Sequence, residues 1–199
     1  MPTPENSTAR VETFSDGVFA VAITLLVLGL HVSAPPGRLA HALGAEWPHY
    51  ATYVVSFLTI GIIWMNHHAQ FERIARADRT LMLLNLVLLM FVTLIPFPTE
   101  LLAGDLRAPS DQHVAAAAYA GSLLAMSVAF FATYLWATHA SLFSERITER
   151  HVRYLVRRNG VGLLAYVVAI ALAFVNATAS LTVCGLTAVY YTFPGKSLN

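Results

Sequence analysis

The sequence has few charged side chains and a single cysteine, and each shortage excludes a class of protein. Charged residues make up 12% of the 199 residues, about half of the roughly 25% found in soluble domains. The net charge is +1 and no long basic run is present, so nucleic-acid binding is not expected. Cys184 stands alone and cannot form an intrachain disulfide or a thiolate metal site. The composition therefore predicts that lipid surrounds much of the chain.

Six apolar runs predict an all-α membrane protein with one domain over residues 1–199. A helix needs about 20 apolar residues to cross the hydrocarbon core, and the runs lack the alternating polarity of barrel strands. The transmembrane helices are predicted at approximately 13–32, 49–70, 80–103, 114–139, 158–175 and 178–193. The last two are short, and we interpret them as a tight helical hairpin. A retained first helix is favoured over a cleaved signal peptide, because Pro35 would directly follow the cleavage site.

The distribution of basic residues predicts the orientation in the membrane. With six spans and an inner N-terminus, ten of the twelve Lys and Arg residues fall in inner segments. The two in outer loops are Arg38 and Arg107. Since inner loops carry the excess of positive charge, both termini are predicted to be cytoplasmic.

Asp16 is an unusual residue for the start of a membrane span. A carboxylate there is either an interfacial residue of the helix start or a buried hydrogen-bonding anchor, because charge inside the bilayer is costly. At about 100° per residue, Asp16 points well away from Val21. The opposite face carries an apolar stripe with one hydroxyl, formed by Gly17, Val21, Thr24, Leu25 and Leu28. On spacing alone, such a stripe is more typical of core packing than of a pore.

The inner end of the second helix places Trp64, His67, His68 and Phe71 on one face, at positions i, i+3, i+4 and i+7. A metal site is disfavoured because zinc needs three or four converging ligands. We instead predict a hydrogen-bonded cluster that joins Trp64, one of the histidines and Asp16. In the third helix, the amide of Asn85 is expected to bond to a neighbouring helix.

The order and spacing of several segments carry a resemblance to a known family. The segments are Arg10, Phe14–Ala20, Thr24–Leu28, Trp64, His67–His68, Phe71, Asp78, Leu84–Leu86 and Pro96–Thr99. Over about residues 10–103 the chain resembles the transmembrane protein 175 family, which comprises lysosomal potassium channels of animals and shorter bacterial and archaeal relatives. The later helices match only in number and hydrophobicity.

The resemblance implies a homotetramer of six-helix subunits in the cell membrane, with the first helix lining a path for potassium and other monovalent cations. Val21, Leu25 and Leu28 match the family's hydrophobic constriction, and Thr24 matches a hydroxyl position linked to potassium preference. Val21 stands where relatives often carry isoleucine, which leaves the tightness of the constriction open. The network expected to hold the first helix comprises Arg10, Phe14, Ser15, Asp16, Trp64, His67, His68 and Asn85.

These features predict a weakly selective potassium leak channel that needs no cofactor beyond the permeant ion. The sequence contains no T-V-G-Y-G segment with which to build a filter of carbonyl rings. The alternative is a proton-coupled secondary transporter that uses Asp16 and His67 or His68. An enzyme is not expected, since no nucleophile–base or metal constellation is visible.

Overall fold

The structure is a computed structural model, and it describes residues 4–105, 111–144 and 148–193. Over these ranges the chain folds into eight α-helices and one 3₁₀ turn, Leu26–Gly29. The helices are α1 Pro4–Leu25, α2 Leu39–Ala45, α3 Trp47–Phe71, α4 Arg79–Leu94, α5 Pro96–Asp105, α6 Gln112–His139, α7 Glu149–Ala173 and α8 Ala177–Thr192.

The first helix differs from its predicted bounds of 13–32 at both ends. It begins at Pro4, where proline suits the first turn because its missing N–H would be unpaired there in any case. The polar residues that follow Pro4 escape a search for apolar runs. At the other end the α-helix stops at Leu25 and tightens into the 3₁₀ turn. The α-helix thus ends seven residues before the predicted bound of residue 32, and the 3₁₀ turn continues the helical segment to Gly29.

The third predicted segment, 80–103, is divided into α4 and α5 at Ile95. Pro96 has no N–H, and in a regular α-helix its ring would clash with the carbonyl of Val92, four residues earlier. The Ile95 N–H accordingly bonds to the Val92 carbonyl at 3.2 Å, a tighter i→i−3 bond. The start of α4 is capped by Asp78, whose Oδ1 accepts from the Leu81 N–H at 2.7 Å. The i→i−4 hydrogen-bond pattern is thus interrupted where Pro96 removes a donor.

The last two helices form a hairpin with a short connection at residues 174–176. Asn176 caps α8, because its Oδ1 accepts from the Ala179 N–H at 2.9 Å. The α7 helix begins at Glu149, well before the predicted residue 158, since its arginine-rich first turns carry no hydropathy signal.

The core lies where α6 meets its neighbours α4, α5, α7 and α8, while α1 packs against α3 and α4. Small buried residues on α6, including Ala115, Ala116 and Ala120, let the helices approach closely. Large side chains such as Phe19 of α1, Leu88 of α4 and Tyr119 of α6 fill this core.

Four segments among the described residues are long and apolar enough to cross a membrane. They are Thr8–Gly29, Arg79–Asp105, Gln112–His139 and Val156–Ala173. The chain is thus all-helical with four candidate spans, and six spans remain a prediction.

Two inner segments of the predicted topology meet at one end of the bundle. The Ala75 N–H donates to the Leu142 carbonyl at 2.9 Å, and the Ser144 N–H donates to the Arg73 carbonyl at 3.0 Å. Three of the basic residues used to predict orientation, Arg107, Arg146 and Lys196, lie outside the described residues. We call the end that holds residues 72–78 and 140–144 the inner end.

Candidate functional site

A buried chain of hydrogen bonds joins three helices near the inner end of α1. His67 of α3 lies with Nε2 2.8 Å from Asn85 Oδ1, and Asn85 of α4 donates from Nδ2 to Ser15 Oγ at 2.9 Å. Ser15 of α1 donates in turn to the Val11 carbonyl at 2.8 Å. All three side chains are at most 1% exposed. Because a buried polar group is costly to leave unpaired, this chain fixes the rotation of α1 against α3 and α4.

The hydrogen bonds also determine the tautomer of His67. An amide oxygen can only accept, so Nε2 must carry the proton in a neutral ring and Nδ1 is left as an acceptor. Among the described residues Nδ1 has no partner. The rings of Phe19 and Phe71 enclose the imidazole, with centroids at 5.4 and 4.4 Å. Within the described ranges no group of three or more His, Cys, Asp or Glu residues could hold a metal ion.

Asp16 makes a second connection between α1 and α3. Its Oδ1 accepts from Trp64 Nε1 at 2.7 Å, and neither His67 nor His68 bonds to it directly in the described structure. His67 instead reaches α1 through Asn85 and Ser15. Of the predicted cluster, Trp64 therefore bonds to Asp16. His67 connects instead to Ser15, the neighbouring residue on α1, through Asn85.

His68 bonds to a residue that our sequence reasoning missed. Its Nδ1 lies 2.5 Å from Glu12 Oε1, and its Nε2 lies 3.5 Å from Glu72 Oε1. The ring also stacks on Trp64, with centroids 6.2 Å apart. Glu12 precedes Asp16 by four residues and so lies on the same face of α1. That spacing was the signal that could have found it.

Two members of the predicted network stay outside these bonds. Arg10 and Phe14 are exposed, and among the described side chains Arg10 makes no hydrogen bond or ion pair. Both line an open cavity of ≈ 410 Å³ between α1 and α4, together with Val11, Met82, Asn85 and Leu86.

The predicted apolar stripe lies on the exterior of the single chain. Val21 is 55% exposed, Leu25 40% and Leu28 64%, and Leu28 falls within the 3₁₀ turn. Thr24 is also exposed, and its hydroxyl donates to the Val21 carbonyl at 2.8 Å. The anchored face of α1 therefore points into the subunit, while a column of large apolar side chains points out of it.

Comparison with known proteins matches both the sequence and the fold. The family described as endosomal/lysosomal potassium channel TMEM175 matches residues 10–96. A Streptomyces collinus protein named as a potassium channel is 50% identical over 191 residues, which cover 94% of this chain and 93% of the relative. The chain belongs to the TMEM175 family. This is a family of ion channels, not enzymes, and the chain is a multi-pass membrane protein.

A solved TMEM175 structure matches nearly the whole fold. The crystal structure of a potassium-selective TMEM175 homologue from Chamaesiphon minutus has a TM-score of 0.84 and 40% sequence identity. The match covers 94% of this chain and 97% of that one. Mouse TMEM175, named an endosomal/lysosomal proton channel, is 37% identical over 116 residues, which cover 53% of this chain and 23% of the mouse protein.

Proposed function

We propose that the chain forms a weakly selective potassium leak channel, in which four copies surround a central path lined by α1. The observation that carries the proposal is the outward apolar column of Val21, Leu25 and Leu28 on a helix whose polar face is tied inward. Relatives 40–50% identical over most of the chain are named potassium channels, which supports the same activity here.

The proposed pore controls ion conduction by excluding or admitting water at an apolar constriction, rather than by a filter of carbonyl rings. Narrow apolar rings exclude water and conduct only when they widen, so the column serves as a hydrophobic constriction. Thr24 offers the oxygen on this face. Because its hydroxyl proton is donated to its own helix, the oxygen lone pairs stay available to a passing cation. A single hydroxyl ring gives modest discrimination, and we expect potassium to be favoured weakly over sodium.

The proposed topology has six spans in the cell membrane, with both termini in the cytoplasm. The excess of Lys and Arg in predicted inner segments supports this orientation. The α3 and α8 helices complete the six, although they fall outside the four candidate spans.

Flux through purified protein in liposomes tests the channel. We expect passive potassium flux with no proton gradient, smaller sodium flux, and no saturation with rising potassium. Flux that requires a proton gradient and saturates like that of a carrier would contradict the channel and support the proton-coupled secondary transporter. Asp16 bonds to Trp64 rather than to a histidine, so the described residues offer no direct Asp–His relay for that alternative.

Proton permeation is the second property to measure, because the animal relatives are named proton channels. A pH-sensitive dye inside the same liposomes reports it directly. A fall in the pH inside the liposomes without added potassium, as reported by the dye, would assign proton conduction to this chain as well.

Replacing Leu25 tests the constriction. In Leu25→Asn, four amides would line the narrow ring and hold water there, so sodium flux should rise relative to potassium flux. The matched control is Leu83→Asn on α4, where the side chain is 54% exposed. Unchanged flux ratios in Leu25→Asn would remove this residue from the pore.

A further inference from the structure

The contacts of His68 form a charge-dependent connection between α1 and α3 at the inner end of the bundle. Glu12 belongs to α1, His68 belongs to the last turn of α3, and Glu72 directly follows α3. We call these three residues the inner latch. The latch is separate from the buried chain of Ser15, Asn85 and His67, because His68 is 47% exposed on its side chain and Glu72 63%.

The strength of these contacts depends on the charge of the ring. Both ring nitrogens of His68 face carboxylate oxygens, at 2.5 Å for Glu12 and 3.5 Å for Glu72. Ionised carboxylates only accept, and an imidazole donates from both nitrogens only when it is protonated. A neutral ring can satisfy one of the two carboxylates and leaves the other facing a lone pair. An imidazolium donates a charge-assisted hydrogen bond to Glu12 and also attracts Glu72, so the latch is strongest when the ring is protonated.

Carboxylates are the charged groups around His68 in the described structure. On α1 these are Glu12 and, across the Trp64 ring, Asp16. Along its own segment the titratable neighbours are the buried His67 and Glu72, which directly follows α3. From α4, Asn85 bonds to His67 rather than to His68. Histidine changes charge within the pH range that cells experience, so its gain or loss of a proton switches two ion pairs at once.

We infer that the inner latch is a pH-sensitive brake on conduction, in which protonated His68 ties the inner end of α1 to α3. The inference rests on the proposed function, in which α1 lines the ion path. An apolar constriction conducts only when it widens, and widening requires α1 to move against its neighbours. Loss of the proton leaves Glu12 with at most a neutral hydrogen bond from the ring, which is weaker than the charge-assisted one, and so loosens the inner end of α1. Acidification on the inner side therefore lowers potassium conductance.

Planar bilayers that hold the full-length protein test the brake, because the pH of each side can be set separately. Raising the inner-side pH from about 5 to about 8 spans the titration of histidine. We expect potassium conductance to rise on the order of fivefold, which is the lower end of couplings between two sites. His68→Gln and Glu12→Gln should conduct at the higher level at every pH. His139→Gln is the matched control, since His139 is exposed at the end of α6 and should keep the dependence.

Conductance that ignores inner-side pH, or a dependence that survives in His68→Gln, would overturn the brake and leave the channel intact. Absence of potassium conductance from every variant would instead overturn the proposed function. The latch is then decided by fluorescence in a Trp47→Phe, Trp136→Phe background, where only Trp64 emits. A cation stacked on the indole perturbs its π system, so emission should change with pH and the change should vanish with His68→Gln. Emission that is constant with pH would reject the latch.

Discussion

At the scale of single residues, Asn85 is the centre of the buried hydrogen-bond chain, because its side-chain amide bonds to two other helices, α1 and α3. It accepts from His67 with its oxygen and donates to Ser15 with its nitrogen. The sequence indicated that a lone amide in an apolar helix would bond to a neighbour. It could not indicate which neighbour, since the rotation of three helices about their axes is set by their packing as a whole.

Replacing Asn85 should weaken the bundle. In Asn85→Ala the His67 N–H loses its acceptor in a buried site, and an unpaired buried group costs about 1–3 kcal/mol. We expect a lower midpoint for thermal unfolding in mild detergent. Asn66→Ala is the control, because within the described residues the Asn66 side chain bonds to the Ile62 carbonyl of its own helix. Equal midpoints for the two variants would contradict an anchoring role for Asn85.

At the scale of helices, the apolar runs predicted the approximate positions of the long helices but not their first and last residues. The start of α1 at Pro4 and of α7 at Glu149 involves polar turns, which extend a helix without adding hydrophobicity. The division at Ile95 was foreseeable, because Pro96 and Pro98 both lack a backbone donor. The 3₁₀ turn after Leu25 has no comparable signal in the sequence.

Two glycines of α7 provide a matched test of its packing against α8. A Cβ on Gly162 would lie 2.3 Å from the Tyr191 hydroxyl and 2.8 Å from its ring, whereas Gly160 has nothing within 4 Å. Gly162→Ala should destabilise the protein by about 1–3 kcal/mol through overpacking. Gly160→Ala should stabilise it by up to about 1 kcal/mol, because alanine favours helix. Thermal unfolding in detergent measures both, and a stabilised Gly162→Ala would show that this hairpin packs differently.

At the scale of the whole molecule, the outward column on α1 is exposed in the described part of one subunit. The sequence predicted the column from its spacing, but spacing alone favoured ordinary core packing. The single chain shows Val21, Leu25 and Leu28 exposed, which a core position would not be. In the proposed tetramer further copies of the chain cover this face around an axis, whereas acyl chains would cover it in a lone subunit. Assembly is therefore a property that one sequence implies only through its relatives.

Asp16 connects the fold of one subunit to this assembly. Asp16→Ala removes the acceptor of Trp64 and loosens the face of α1 opposite to the column, so we expect loss of the tetramer. Asp16→Asn keeps an acceptor oxygen and should retain more tetramer. Native mass spectrometry in mild detergent measures the ratio of tetramer to monomer. A tetrameric, conducting Asp16→Ala would show that Asp16 does not serve as an anchor.

The short α8 helix has a consequence for the lipids around the protein. Its 16 residues rise about 24 Å, less than the roughly 30 Å thickness of the hydrocarbon core. In the proposed six-span topology, the annular lipids beside α8 must compress to meet it, because hydrophobic mismatch is relieved by local thinning. Bilayers of shorter acyl chains should therefore accommodate this edge of the protein with less deformation than thick, sterol-rich ones.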